Sequence, residues 1–269
     1  MFYESIKPYR SNRYKNREYG RVIVLEEIVR FRKKIVNVLK SCIRTSERVV
    51  DHRSLLESIR MENRLGKIGL IVEYKRASPK GVIRLDVMPD KYVEKYRDIA
   101  AGFSVLVEPY WFLGSLEYVA AIRSWSGKPV LFKDFIVDPW QIDLAWCLGA
   151  DAVLLISEVL SDRELVSLVE HARELGLEVL LESNSSSHLI DLYSRLGDPI
   201  LLGLNSRNLR TLTVDLDAAL QSVRDLRESV GDSAVIVLES GVSSFDDIEK
   251  AWRSGANAVL VGTFMMRNF

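Results

Sequence analysis

The sequence predicts an α/β chain folded as a (β/α)8 TIM barrel with an N-terminal helical extension, and three observations predict it. From Lys67 onward, eight short runs rich in Val, Ile and Leu alternate with amphipathic segments. The stretch from Ile142 to Ile156 recurs, without a gap, from Ile248 to Gly262. Ahead of the first run stands a basic amphipathic segment.

The elements follow in order. Residues 1–53 carry 14 Lys and Arg against 6 Asp and Glu, so a basic arm adjoins an acidic body within a chain of zero net charge. In that arm Val24, Ile28, Phe31, Ile35, Val38 and Leu39 recur at helical spacing between Val22 and Leu39, with basic residues on the other face. This helix is expected to dock on the body, the first twenty residues being loosely held, and the barrel to occupy residues 54–269. The strands are expected at 67–73, 103–107, 129–132, 151–156, 178–182, 200–204, 234–239 and 257–261. Each is almost continuously apolar, as parallel strands covered on both faces are. Helices are expected at 90–101, 115–124, 139–147, 161–175, 185–195, 215–228 and 244–253, several opened by a Ser or Asp suited to cap an N-terminus. The repeat has an offset of 106 residues, which holds four strand-helix units, and it lays Val130–Asp134 over Ile236–Ser240. Two matching halves make one closed barrel, a symmetry that an open doubly wound sheet does not explain.

Composition bounds the function. Equal numbers of cations and anions, 37 of each, argue against whole-surface nucleic-acid binding. No apolar run approaches the ~18 residues of a membrane span, and the polar N-terminus lacks a signal-peptide core, so the expected location is the cytoplasm. Cys42 and Cys147 form no CxxC and are expected in the core; three scattered histidines suggest no metal cluster.

In a barrel the reactive face lies where the strands end. Those ends carry Glu73 and Lys75, Glu108, Lys133, Glu158, Glu182, Asn205 with Arg207, Glu239 with Ser240 and Gly241, and Gly262 with Thr263. Carboxylates and ammonium groups converging on one mouth shift each other's proton affinities, which suits acid-base chemistry. No GxSxG elbow appears, and neither Cys nor His ends a strand, leaving Lys and Glu as proton carriers. A Schiff-base role for Lys133 stays open at this level. Small residues after the last two strands, Ser240, Gly241, Gly262 and Thr263, followed by a helix start, predict a phosphate site.

The segments EYKRASPKG (73–81), VLVEPYWFLGS (105–115), PVLFKDFIVDPWQI (129–142), GADAVLLI (149–156), LLES (180–183), GLNSRNL (203–209), ESGV (239–242) and AVLVGTFMMR (258–267) resemble the indole-3-glycerol-phosphate synthase family. The resemblance runs from about Arg21 to the end. It implies a decarboxylating, dehydrating ring closure of a phosphorylated carboxyphenylamino-deoxyribulose in tryptophan biosynthesis, with no cofactor; from charge and composition no nucleic-acid or membrane partner is expected, and a monomer is expected over an oligomer. By resemblance Lys133 is the general acid for condensation and Glu182 acts on the eliminated hydroxyl. Lys75 pairs with anionic substrate groups, Glu73 holds the lysines, Asn205 bonds the substrate and Glu239 completes the charged ring. Phosphate falls to Ser240, Gly241, Gly262 and Thr263. Ser78 and Arg207 join the substrate site, while Phe112, Phe135, Leu154 and Leu260 wall the aromatic ring. Ser206 and Thr263 depart from residues common in the family while keeping small polar chemistry, and the helix after the last strand is cut to about one turn. Two rivals are a phosphoribosylanthranilate isomerase, which wants a Cys/Asp pair that no strand end supplies, and an idle assembly or RNA-binding barrel.

Overall fold

The computed structural model describes residues 23–208, 211 and 213–269. Val22, the expected first helical residue, the first twenty residues and Leu209 of the GLNSRNL segment lie outside them. Eight parallel strands close into a barrel: β1 (Gly69–Tyr74), β2 (Gly102–Leu106), β3 (Val130–Lys133), β4 (Ala152–Ile156), β5 (Glu178–Ser183), β6 (Leu201–Asn205), β7 (Val235–Glu239) and β8 (Ala258–Val261), with β8 pairing back on β1. Each lies within two residues of its expected place at either end.

Helices α1 (Ile23–Cys42) and α2 (Leu55–Arg64) precede the barrel. Its crossovers carry α3 (Pro89–Tyr96), α4 (Leu116–Ser126), α5 (Pro139–Cys147), α6 (Asp162–Glu174), α7 (Ser186–Leu196), α8 (Leu216–Val230) and α9 (Phe245–Arg253), and α10 (Thr263–Arg267) follows β8. Ser115, Asp138, Ser161, Ser185, Asp215 and Ser244 each accept a first-turn N–H, so these helix starts are fixed by caps that could be read from sequence. The helix expected at 90–101 stops at Tyr96, short of the turn that leads into β2.

The inner core is continuous from one barrel end to the other. At the bottom α2 inserts Leu55, Leu56 and Ile59 under Ile71, Leu131, Leu180 and Val235; at the top Leu25 and Ile28 of α1 meet Phe135, Leu154 and Leu260. Helix α2 has no counterpart among the expected elements. It is seated by Glu178 at the start of β5, whose carboxylate accepts from Leu55 N (2.8 Å) and Leu56 N (3.0 Å).

Two expectations need correction. Cys42 is exposed and Cys147 half-buried, because each ends its helix at the surface rather than inside it. The buried face of α1 is also rotated from the expected stripe: Leu25, Ile28, Arg32 and Val36 are buried, and Val38 is 58% exposed. The cause is Arg32, which forms an ion pair with Asp134 from the loop after β3 and so belongs to the inner face. Lys40 to Asp138 (2.8 Å) adds a second, partly exposed tie from the arm to the body. Among the described residues no helix is long and apolar enough to cross a membrane.

Candidate active site

Barrel interiors fill in layers of four side chains from alternate strands, normally bulky and branched. At the mouth of this barrel the odd-strand layer is Glu73 from β1, Lys133 from β3, Glu182 from β5 and Glu239 from β7. Lys133 Nζ stands 2.6 Å from Glu239 Oε2, 3.6 Å from Glu73 Oε2 and 3.8 Å from Glu182 Oε2. One ammonium therefore serves three buried carboxylates. Lys75, two residues beyond Glu73, adds a second cation at 2.6 Å from Glu73 Oε1.

The layer sorts its protons by environment. Burial pushes the Glu73 carboxyl up, but Lys75 and then Lys133 outweigh it and hold Glu73 below the usual carboxylate range. Burial and then the Glu239 charge push Glu182 up to about 8, against the pull of Lys133 and a hydrogen bond from Asn205. Burial alone would lower Lys133; Glu239, Glu73 and Glu182 reverse that and hold its proton tightly. Neighbouring groups driven apart in this way are what acid-base chemistry near neutral pH requires. Asn205 Nδ2 donates to Glu182 Oε1 (2.8 Å) and its Oδ1 accepts from Arg207 N (2.9 Å), so the amide is orientated by its neighbours.

Above this layer lies a cavity of about 410 Å³. It is lined by Glu73, Lys75, Lys133, Glu182 and Asn205, by Ser240, Gly241, Gly262 and Thr263, and by Ser78, Phe112, Phe135, Leu154, Arg207 and Leu260. Glu239 alone of the expected site residues does not line it; fully buried, it lies behind Lys133. The cavity has two ends. Phe112 and Phe135, 6.0 Å apart between ring centroids, form an apolar wall with Leu154 and Leu260. The other end is built of Ser240, Gly241, Gly262 and Thr263. Ser240 and Gly241 both take left-handed backbone, at φ 65° and 77°. For serine that conformation is uncommon and costs backbone strain.

Loops are fixed so that these side chains stay aimed. The Glu108 carboxylate accepts from Tyr110 N (2.9 Å), Trp111 N (2.7 Å) and Phe112 N (3.2 Å), clamping the turn that carries Phe112. Ser78 sits on a two-residue ladder, Ala77–Ser78 against Gly81–Val82, and Ala77 N bonds Phe112 O at 3.1 Å. Glu158 bonds Ser183 Oγ and Asn184 N, so this strand-end acid serves a loop rather than the mouth. Sequence reasoning missed Leu25 and Ile28 as cavity walls, and also Lys80 and Arg267. The two apolar residues sit on a helix whose register over the barrel no spacing discloses; Lys80 is one cation among several between Lys75 and Arg84, and Arg267 is a lone charge that no spacing aims at the mouth.

Comparison with known proteins gives one family for most of the chain. The family profile described as Indole-3-glycerol phosphate synthase matches residues 25–269. A curated protein of that description from Aeropyrum pernix is 45% identical over 199 residues, 74% of this chain and 75% of that protein. One from Carboxydothermus hydrogenoformans is 38% identical over 254 residues, 90% of this chain and 94% of that protein. Among solved structures, the N-acetylmannosamine-6-phosphate 2-epimerase from Clostridium perfringens superposes with a TM-score of 0.59 at 13% identity, covering 83% of this chain and 95% of that one. A tryptophan synthase alpha-subunit from Pyrococcus furiosus gives 0.57 at 16%, covering 74% and 88%. At such identities the structural likeness shows the barrel fold alone.

Proposed function

The chain belongs to the indole-3-glycerol phosphate synthase family, and from that premise we propose how its mouth divides the chemistry. The activity is a carbon-carbon lyase reaction of tryptophan biosynthesis on a phosphorylated small molecule. It closes 1-(2-carboxyphenylamino)-1-deoxyribulose 5-phosphate to indole-3-glycerol phosphate with loss of carbon dioxide and water.

The phosphate rests against Ser240, Gly241, Gly262 and Thr263, and the carboxyphenyl ring against Phe112, Phe135, Leu154 and Leu260. Lys75, Ser78 and Arg207 meet the substrate's remaining anionic and polar groups. This lays the ketone over the charged layer. As the aromatic carbon attacks, the ketone oxygen becomes a stronger base than an amine, and Lys133 passes it a proton. Carbon dioxide leaves, and the electron pair of the broken carbon-carbon bond stays in the ring and restores its aromaticity. Glu182, which holds a proton up to about pH 8, then protonates the new hydroxyl, which departs as water while the ring methylene gives up a proton. A neutral Lys133 is placed to take that proton, so one turnover consumes one proton net. Glu73 holds the lysines, Glu239 anchors Lys133 from behind, and Asn205 aims Glu182.

The observation that carries this assignment is the single ammonium of Lys133 within 4 Å of Glu73, Glu182 and Glu239, at the floor of a cavity with one apolar and one small-residue end. The test is to follow indole fluorescence on adding substrate to wild type and Lys133→Met. The variant is expected to lose ~10²–10⁴-fold in kcat or more while still binding product; unchanged turnover rejects Lys133 as the acid. We place the protein in the cytoplasm as a monomer without nucleic-acid or membrane partner, which light scattering of the purified chain tests through its mass.

A further inference from the structure

Three glycines at the mouth keep open a space that a polar atom fills. A methyl on Gly262 would overlap Glu73 Oε1, one on Gly203 would overlap Glu239 Oε1, and one on Gly241 would lie 2.7 Å from Ser206 Oγ. Gly241 is explained by its left-handed backbone, and Gly262 stands beside the phosphate end. Gly203 has neither explanation. It lies inside β6 without a positive φ, and it is not among the residues that line the cavity. A glycine within a strand weakens it and marks a close approach.

What approaches is a carboxylate. Glu239 Oε2 bonds Lys133 Nζ at 2.6 Å, while Oε1 is buried with no hydrogen-bond partner among the described residues and lies over the bare Cα side of Gly203. We propose that Gly203 is a positioning residue: by carrying no side chain it lets the Glu239 carboxylate lie back against β6, and this fixes where the Lys133 ammonium stands under the substrate. The proposal rests on the roles given above to Lys133 and Glu239. A methyl at 203 meets the far end of a flexible side chain, so the carboxylate moves and the strand holds. The other neighbours, Leu180 Cδ1 at 3.2 Å and Leu181 O at 3.3 Å, need give only a little.

The test compares Gly203→Ala, Glu239→Asp and the double variant in the indole fluorescence assay, with Lys133→Met as control. Gly203→Ala is expected to lower kcat ~10- to 100-fold, the effect of a small misplacement of a reacting group, with KM changed less than about threefold. Aspartate is one methylene shorter and leaves room for the methyl, so the double variant should match Glu239→Asp alone. Additive losses in the double variant, or wild-type kcat in Gly203→Ala, overturn the proposal. Should Gly203→Ala fail to fold, the pair decides. A folded pair with the activity of Glu239→Asp supports it, and an unfolded pair overturns it by placing the clash at Leu180 or Leu181. Full activity in Lys133→Met rejects the lysine's role and this proposal together. An inactive Lys133→Met beside an undisturbed Gly203→Ala rejects only the part given to Gly203.

Discussion

Lys133 and Glu239 occupy equivalent positions of the two half-barrels, 106 residues apart, and their charged ends meet at 2.6 Å. The repeat supplied two facing sites in one layer, and opposite charges at those sites turned a packing layer into a proton-handling one. With Lys133→Met the cation is gone and Glu73, Glu182 and Glu239 share a dry layer. Breaking a buried pair by removing one partner destabilises by about 3–5 kcal/mol. Glu73 keeps Lys75 beside it, but Glu182 loses the cation that lowered it and holds its proton to still higher pH folded than unfolded. That stability is therefore present below the ordinary carboxylate range and lost as pH rises through the raised value. Thermal unfolding should show the Tm deficit of Lys133→Met widening from about pH 5 to about pH 8. A pH-independent deficit would mean that Lys133 does not hold down the Glu182 proton affinity.

Glu182 makes a separate prediction. Burial first, then Glu239, lifts its carboxyl from the ordinary 4.5 to about 8. As the proton donor in dehydration it must be neutral, so kcat should fall as pH rises through about 8. Glu182→Gln should lose ~10²–10⁴-fold, and its residual activity should lack that alkaline limb. Stability follows the same sign. A folded-state value above the unfolded one favours the folded protein at low pH, and that contribution disappears as pH climbs from 4.5 through about 8. Glutamine does not titrate, so Glu182→Gln should be more stable than wild type at the alkaline end in urea titrations and near parity at the acid end. Equal alkaline stability would place the Glu182 proton elsewhere.

How far the sequence foretold this molecule depends on whether neighbours along the chain or across space decide each feature. The barrel strands are legible because burial on both faces makes each a continuous apolar run, and the caps because a serine or aspartate satisfies first-turn N–H groups locally. The mouth is legible through barrel closure, since strand ends must converge. Helix α2 was missed: it is only ten residues long, with Leu55, Leu56 and Ile59 as its short apolar stripe, and its seat, Glu178, lies more than a hundred residues away. The α1 face was misjudged because periodicity counts Arg32 as polar and cannot know that Asp134 awaits it. Glu239 was placed in the mouth, yet only three dimensions reveal that it stands behind Lys133.

Arg32 and Asp134 yield a prediction of their own. Both are 2% exposed, and the Asp134 carboxylate also accepts from Gln141 Nε2 (2.9 Å) and Phe135 N (2.9 Å). Asp134 follows Lys133 directly, and Leu25 and Ile28 on the same helix wall the cavity, so this pair ties α1 to the strand that carries Lys133. Replacing the guanidinium in Arg32→Met leaves a buried anion with its two neutral donors, and α1 loosens from the barrel. Limited proteolysis should then cut within 23–42 far faster than in wild type. KM should rise more than kcat falls, because the wall for the ring is lost while the charged layer stays. Unchanged proteolysis and KM would show that α1 is held by its apolar contacts alone.

Ser240 lets backbone and side chain be separated at the phosphate end. Its φ of 65° is one that a Cβ disfavours, at about 1–2 kcal/mol relative to glycine. Ser240→Gly removes both the hydroxyl and that strain, whereas Ser240→Ala removes only the hydroxyl. The glycine variant should therefore raise Tm above wild type, and the alanine variant should not. If the hydroxyl grips the phosphate, both variants should raise KM by a similar factor and weaken competitive inhibition by inorganic phosphate. If the backbone alone does so, alanine should leave KM untouched, while glycine, freed to sample other conformations, should raise it. A stabilised Ser240→Gly with wild-type KM would mean that the left-handed turn serves the chain's path and not the ligand.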